Sequence, residues 1–177
     1  MDKTSDMFDK IVKNGPYSEV APQAQLKIGA AREKQKNFAL AAKAYETAAD
    51  RYHDRPTIAA EALYREGMAF KKEAQTAEYD QSTAGQAIAT FTDFMTLYPS
   101  DSRANGAQTI IAGLKHEQAR GNLQIAKFYE KYHRWRGALV YYNEVVGLTL
   151  TEPNSPYAVE ARKRIEVLNK MLEAKAK

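Results

Sequence analysis

Apolar positions recur along this chain at steps of three and four residues rather than in alternation, which is the period of helices. Tyr157, Ala161, Ile165, Leu168 and Met171 or Leu172 form one such stripe and predict a final helix. Met7, Phe8, Ile11 and Val12 form another near the start. No segment alternates with period two between hairpin turns, so no strand is expected. Helix punctuation keeps the same register. Asp54 and Pro56 mark one helix start and Ser155-Pro156 another, because proline at the first helical position gives up an N–H that lacks a helical partner anyway. Asp80 or Ser82 is expected to cap a helix beginning near Thr83, with Ala87, Phe91 and Phe94 as its buried face. Tyr98-Pro99 stops that helix, and Ser100 to Ser102 cap the next.

Beneath the helices lies a repeat. Gly29 is followed twelve residues later by Ala41, then by Tyr45 and Ala48. Gly67 opens a second unit, continued by Ala87, Phe91, Phe94 and Pro99; Ala126 opens a third, continued by Ala138, Tyr142 and Val145. A small residue on the first helix of each pair lets the second approach, and an aromatic on the second fills the gap between them. The spacing matches the second half of the tetratricopeptide pattern. It predicts an all-α fold, a tetratricopeptide-repeat superhelix of antiparallel helix pairs with a C-terminal capping helix. One domain is expected over 1–177. Within it, 1–14 is the second helix of a truncated repeat, 18–53, 56–98 and 102–150 are repeats, and 155–174 is the cap. The second repeat carries an eight-residue insertion around "KKEAQTAEYDQS", which lets its first helix run longer. Nothing strong enough to break a helix stands between Pro99 and Ala126, so Ser102 to Lys131 is predicted as one long helix, weakened only near Gly113 and Gly121. Phe38 and Trp135 share a repeat position. Trp135 reads as a packing residue ahead of a binding aromatic, largely buried between its two helices.

Composition narrows the chemistry. The 26 basic and 22 acidic residues are interspersed and net only +4, a solvated surface rather than a nucleic-acid or membrane footprint. The same modest charge and scarcity of clustered arginines argue against an RNA-binding helical repeat. The absence of cysteine excludes a disulfide framework, a thiolate zinc site and a cysteine nucleophile. No apolar run reaches the roughly 18 residues of a membrane span, and no signal-peptide pattern opens the chain. Met1-Asp-Lys-Thr-Ser reads as a start from which targeting information has been cut away. His53, His116 and His133 are far apart with no partner at ligand spacing, so they read as surface histidines and no metal is expected. The glycines are isolated and do not build a phosphate-cradling loop. Glu46, Glu61, Glu66 and Glu130 read as solvated helix faces among lysines rather than acid–base groups. Neither a cofactor nor an enzyme is expected.

Recognition by shape remains. Stacked helix pairs line a concave side with their first helices. The inward positions by register are Gln23, Leu26, Ala30 and Glu33, then Glu61, Tyr64, Met68 and Lys71, then Arg120, Leu123, Lys127 and Glu130. Tyr64 and Met68 beside Lys71 and Lys72 would make an apolar floor with cations at its edge, suited to an extended peptide ending in a carboxylate. Arg120 and Lys127 complete the peptide-binding candidates. The competing reading packs Tyr64 and Met68 on neighbouring helices, and both readings stand at this point.

An Asp80-Gln-Ser-Thr loop, then Ala87-x3-Phe91, then Tyr98-Pro-x-x-Ser102 ahead of a long helix, is similar to the BamD/ComL lipoproteins. The stretch His116 to Val146, "HEQARGNLQIAKFYEKYHRWRGALVYYNEVV", resembles the fourth-repeat region of that family, where a Phe-Tyr-x-Lys ending precedes a basic turn and an Ala-rich helix. The resemblance runs from Gly15 to Leu172. It implies a periplasmic lipoprotein on the inner face of the outer membrane, in the machine that folds and inserts β-barrel proteins. It further implies protein partners: unfolded barrel-protein termini received by the amino-terminal repeats, and assembly components docked by the carboxy-terminal ones. The membrane would be met only through a lipid anchor. The sequence departs from the family in lacking the lipid-bearing cysteine and signal peptide and in its truncated first repeat. A second resemblance is to YbgF-type periplasmic coordinators of envelope constriction or wall synthesis. These share the Tyr-Pro-x-Ser repeat endings but usually carry a coiled coil and lack the Asp-Gln-Ser insertion.

Overall fold

The computed structural model describes residues 3–76 and 81–176, which form eight helices and no strand among the described residues. These are α1 (Lys3–Asn14), α2 (Ala21–Lys34), α3 (Phe38–Arg51), α4 (Pro56–Thr76), α5 (Gln81–Leu97), α6 (Ala104–Lys131), α7 (Trp135–Leu148) and α8 (Pro156–Ala176). Helices adjacent in sequence pack on one another as tetratricopeptide-like pairs. The contacts divide the chain into two compact units, Met1–Ile111 and Ala112–Lys177, with the boundary inside α6. The long helix expected over Ser102 to Lys131 is α6, which begins at Ala104 and passes Gly113 and Gly121 without a break.

In the first unit the repeat spacing does the packing it predicts. Tyr45 of α3 is fully buried against Gly29 of α2, and Phe91 of α5 is fully buried against Gly67 of α4. Ala41, Ala42 and Ala48 keep α3 close to α2 and α4. Phe91 and Phe94 join Ala60, Ala107 and Ile111 in a second cluster that ties α4, α5 and the start of α6 together. Phe8, Ile11 and Val12 seat α1 on Ala24 and Ile28 of α2. Met7, expected in that stripe, is 52% exposed, because a single neighbouring helix covers only a narrow face of α1. The insertion lengthens α4 to 21 residues against 14 in α2.

Helix ends follow the predicted punctuation with two corrections. Pro56 opens α4, and Ser155 Oγ accepts from the Ala158 N–H at 3.3 Å to cap α8. Ser82 is the second residue of α5 and so is not its cap, while Asp80 lies outside the described residues. At the start of α6 the side chain that meets the backbone is Asp101, which accepts the Arg103 N–H at 2.9 Å, where the serines on either side were expected. The carboxylate accepts more strongly than a hydroxyl and also pairs with the Arg103 side chain.

The second unit packs Tyr142, Val145 and Ala138 of α7 against Leu123 and Ala126 of α6 and against Ala161 and Leu168 of α8. On the last helix Ala161 and Leu168 are buried, whereas Met171 is exposed. Trp135 is half-buried, not largely buried, and Phe38 matches it. Each is the first residue of its helix, where the ring reaches only the end of the partner helix and one face is left to a lysine: Lys72 over Phe38 and Lys175 over Trp135.

Candidate protein-binding cleft

A cleft of about 640 Å³ opens in the first unit between α2, the first turns of α4 and the turn joining α5 to α6. Leu26, Ala30, Ile58 and Ala60 supply apolar lining, and Gln23, Lys27, Glu61, Arg65, Asp101 and Arg103 supply polar groups. The local sequence explains its walls. Pro56 starts α4 and Pro99 follows the end of α5, so both turns stand where the chain cannot continue a helix. Ala30 and Ala60 are too small to fill the space between the helices that carry them.

Arg103 organises the polar wall. It forks onto Asp101, with Nε to Oδ1 at 2.9 Å and Nη2 to Oδ2 at 2.7 Å, and its Nη1 donates to Glu61 Oε2 at 2.5 Å. Its guanidinium carbon lies 4.7 Å from the Tyr64 ring centroid and 5.4 Å from that of Phe94. Glu61 also accepts from Arg65. These pairs fix the charge states. Arg103 hydrogen bonds outweigh partial burial and hold Asp101 down at about 2. Burial works to raise Glu61, but Arg65 and Arg103 override it and its pKa falls. The wall is therefore a rigid set of permanent charges, suited to recognition, with neither carboxylate poised to exchange a proton near neutrality.

Tyr64, Met68, Lys71 and Lys72 all lie on α4, and none lines the cleft. Tyr64 meets Phe91 and Phe94 edge-on, at 5.7 and 5.4 Å between centroids, and Met68 packs on the same cluster. Lys72 pairs with Glu33 at 3.0 Å. Lys71 is half-buried on the same helix. Arg120 and Lys127 belong to the second unit, where they pair with Glu117 and Glu160, both at 2.6 Å. Of the inward positions read from the register, Gln23, Leu26, Ala30 and Glu61 do line the cleft. Arg103 and Asp101 escaped the sequence reading; an Asp-x-Arg directly after the helix-stopping Tyr98-Pro99 was their available signal.

The carboxylates expected to be solvated are mostly engaged. Glu46 pairs with Lys43, and Glu130 receives the Tyr142 hydroxyl at 2.7 Å and the Arg164 guanidinium. Glu66 is buried at 8% exposure. Burial first, then the charges of Glu46, Asp50 and Asp93, push its pKa up to about 7, with a hydrogen bond from Thr90 acting against the shift. The sequence concealed it because the helical period puts Glu66 beside Gly67, on the side that two neighbouring helices cover. All three histidines are exposed.

No helix among the described residues is long and apolar enough to cross a membrane. No curated protein matches the chain significantly. The family described as YfiO, outer membrane lipoprotein, matches residues 1–148, which takes in both glycine–aromatic pairs, the cleft, the long helix and α7. With paired helices of the expected kind throughout and a family match over most of its length, the chain belongs to the YfiO family of outer membrane lipoproteins.

Proposed function

We propose that this protein is a non-enzymatic periplasmic scaffold of the BamD type, acting at the inner face of the outer membrane in the assembly and insertion of β-barrel proteins. The observation that carries the reading is the cleft: an open site of about 640 Å³ with apolar lining and a wall of locked ion pairs, in a member of an outer membrane lipoprotein family. Such a site takes an extended segment by shape and by backbone contact, with the fixed charges excluding wrong partners. The α4 patch of Tyr64, Met68, Lys71 and Lys72 is proposed as a second contact for the same kind of segment. Arg120 and Lys127 are proposed as a cationic contact in the other unit.

The test is titration of a barrel-protein carboxy-terminal peptide against the wild type and two variants. Ala30→Arg fills the cleft from a half-buried position, and Lys71→Glu reverses a charge on α4. Saturable binding that Ala30→Arg abolishes supports the cleft; loss confined to Lys71→Glu moves the contact to α4. No binding by the wild type at millimolar peptide rejects the peptide-receiver role.

A further inference from the structure

The turn between α6 and α7 reads Lys131-Tyr-His-Arg-Trp-Arg136, and Glu130 is the one carboxylate in the sequence from Lys127 to Gly137. The modest net charge of the whole chain hides this concentration. Glu130 is itself committed to Tyr142 and Arg164. Lys131, Arg134 and Arg136 are exposed, as is Lys175 at the end of α8, whose Nζ sits 3.8 Å from the Trp135 ring centroid. None of these four cations forms an ion pair among the described residues.

Aromatic rings stand among them. Phe128 and Tyr132 are 58% and 57% exposed, with centroids 4.7 Å apart, and Lys131 lies over Tyr132. Neither ring belongs to the cluster of Tyr129 and Tyr142 that joins α6 to α7, although Phe128 meets Tyr129 edge-on. The turn itself is held firmly. His133 sits in the left-handed region at φ 56, and its N–H and that of Arg134 close the end of α6 by donating to Glu130 and Tyr129 carbonyls at 2.9 Å.

We propose that this basic, aromatic turn rests on an anionic phospholipid surface. Unpaired lysines and arginines meet lipid phosphates, and amphipathic aromatic rings settle at the level of the headgroups. The pairing of both chemistries on one short exposed segment, with cations that make no ion pair among the described residues, is the complement of such a surface. The proposal rests on membership of an outer membrane lipoprotein family and is independent of what occupies the cleft.

Trp135 is the chain's only tryptophan and opens α7 directly after the turn, so its emission reports the contact. The experiment is titration with vesicles of phosphatidylglycerol and phosphatidylethanolamine, and separately of phosphatidylcholine alone, read by Trp135 fluorescence and by co-sedimentation. A blue shift and sedimentation with anionic vesicles, weakened by salt, are expected. Arg134→Gln with Arg136→Gln should weaken the partition roughly thirtyfold, given the contribution of each cation near a charged leaflet. Phe128→Ser should weaken it without changing its salt dependence. All three positions are exposed, and circular dichroism verifies that the variants fold. No response to anionic vesicles, or an equal response to phosphatidylcholine, overturns the proposal. So does an equal Trp135 shift with polyglutamate or with glycerol phosphate, which would assign the turn to an acidic protein or to a free phosphate. Peptide binding at the cleft, measured without lipid, stands or falls separately.

Discussion

A β-carbon added to Gly29 would lie 2.4 Å from the ring of Tyr45. That ring cannot retreat, because it is fully buried and its hydroxyl donates to Glu33 at 2.9 Å. Two effects compete in Gly29→Ala. Alanine is the better helix former by about 1 kcal/mol, whereas overpacking a filled core costs about 1–3 kcal/mol. Sterics should win, and urea unfolding should show a net loss. Gly113→Ala on α6 is the control, since nothing lies within 4 Å of its added carbon; there the propensity gain should appear alone.

The two units carry the same polar bond at the same spacing. Tyr45 donates to Glu33, and Tyr142 donates to Glu130 at 2.7 Å. Each glutamate is also paired with a cation from a neighbouring helix, Lys72 in one case and Arg164 in the other. Removing a hydrogen bond to a charged group costs about 1.5–3 kcal/mol. Tyr142→Phe and Tyr45→Phe should each lose about that much in denaturant unfolding. A double cycle with Glu130→Gln should return most of the Tyr142 loss as coupling energy.

Two helices end on a residue other than glycine in the left-handed region, Lys36 at φ 58 and His133 at φ 56. Lys36 and Asn37 donate to Glu33 and Arg32 carbonyls, so the geometry is the one in which glycine usually closes a helix. Both side chains are exposed, and little packing is lost on their removal. Lys36→Gly should therefore raise stability by about 0.5–1 kcal/mol, read as a higher melting temperature. An unchanged or lower melting temperature would mean that the lysine stem contributes more than its backbone conformation costs.

Glu66 predicts a pH dependence with a definite sign. Its folded pKa is raised to about 7 from an ordinary value of 4.5, so between those values the folded state holds a proton that the unfolded state has released. Stability falls as pH rises through that window, by up to the order of 3 kcal/mol if the glutamate acts alone. Glu66→Gln should remove the slope and make the protein more stable than wild type above pH 7. Asp101 acts oppositely. Its folded pKa is depressed to about 2, so its contribution is present above the ordinary aspartate range and is lost as pH falls towards 2. Thermal unfolding from pH 3 to pH 8 should trace a maximum between the two.

Trp135→Ala tests the correction to its burial. Full burial would put the loss at about 3–5 kcal/mol. Half-burial at the first turn of α7, with Lys175 across one face, brings the expectation to about 2 kcal/mol in chemical denaturation. A loss at the full-burial level would mean that the start of α7 depends on the ring as a core residue does.

The sequence by itself determined the helices and their pairing. Periodicity and prolines mark where helices run and stop, and the recurrence of Gly29 with Tyr45, and of Gly67 with Phe91, states which residues must touch, since a ring of that size needs a missing side chain opposite. Lipoprotein kinship was legible in the Asp80-Gln-Ser-Thr stretch and the long helix. The tertiary structure decided what each polar residue does. Glu66, Glu61 and Glu130 look alike along the chain, yet one is buried and raised, one is clamped by two arginines, and one anchors a tyrosine. Along the chain Tyr64 fits both a groove floor and a packing residue, and only the structure sets Phe91, Phe94 and Arg103 against its ring. The cleft formed beside it, from the start of α4, the turn between α5 and α6 and the face of α2. The reason is one of range. Helical period fixes a residue's direction about its own axis, which local sequence encodes; a charge partner or a cleft wall depends on which distant helix arrives, and Arg103 reaches Glu61 across forty-two residues of chain.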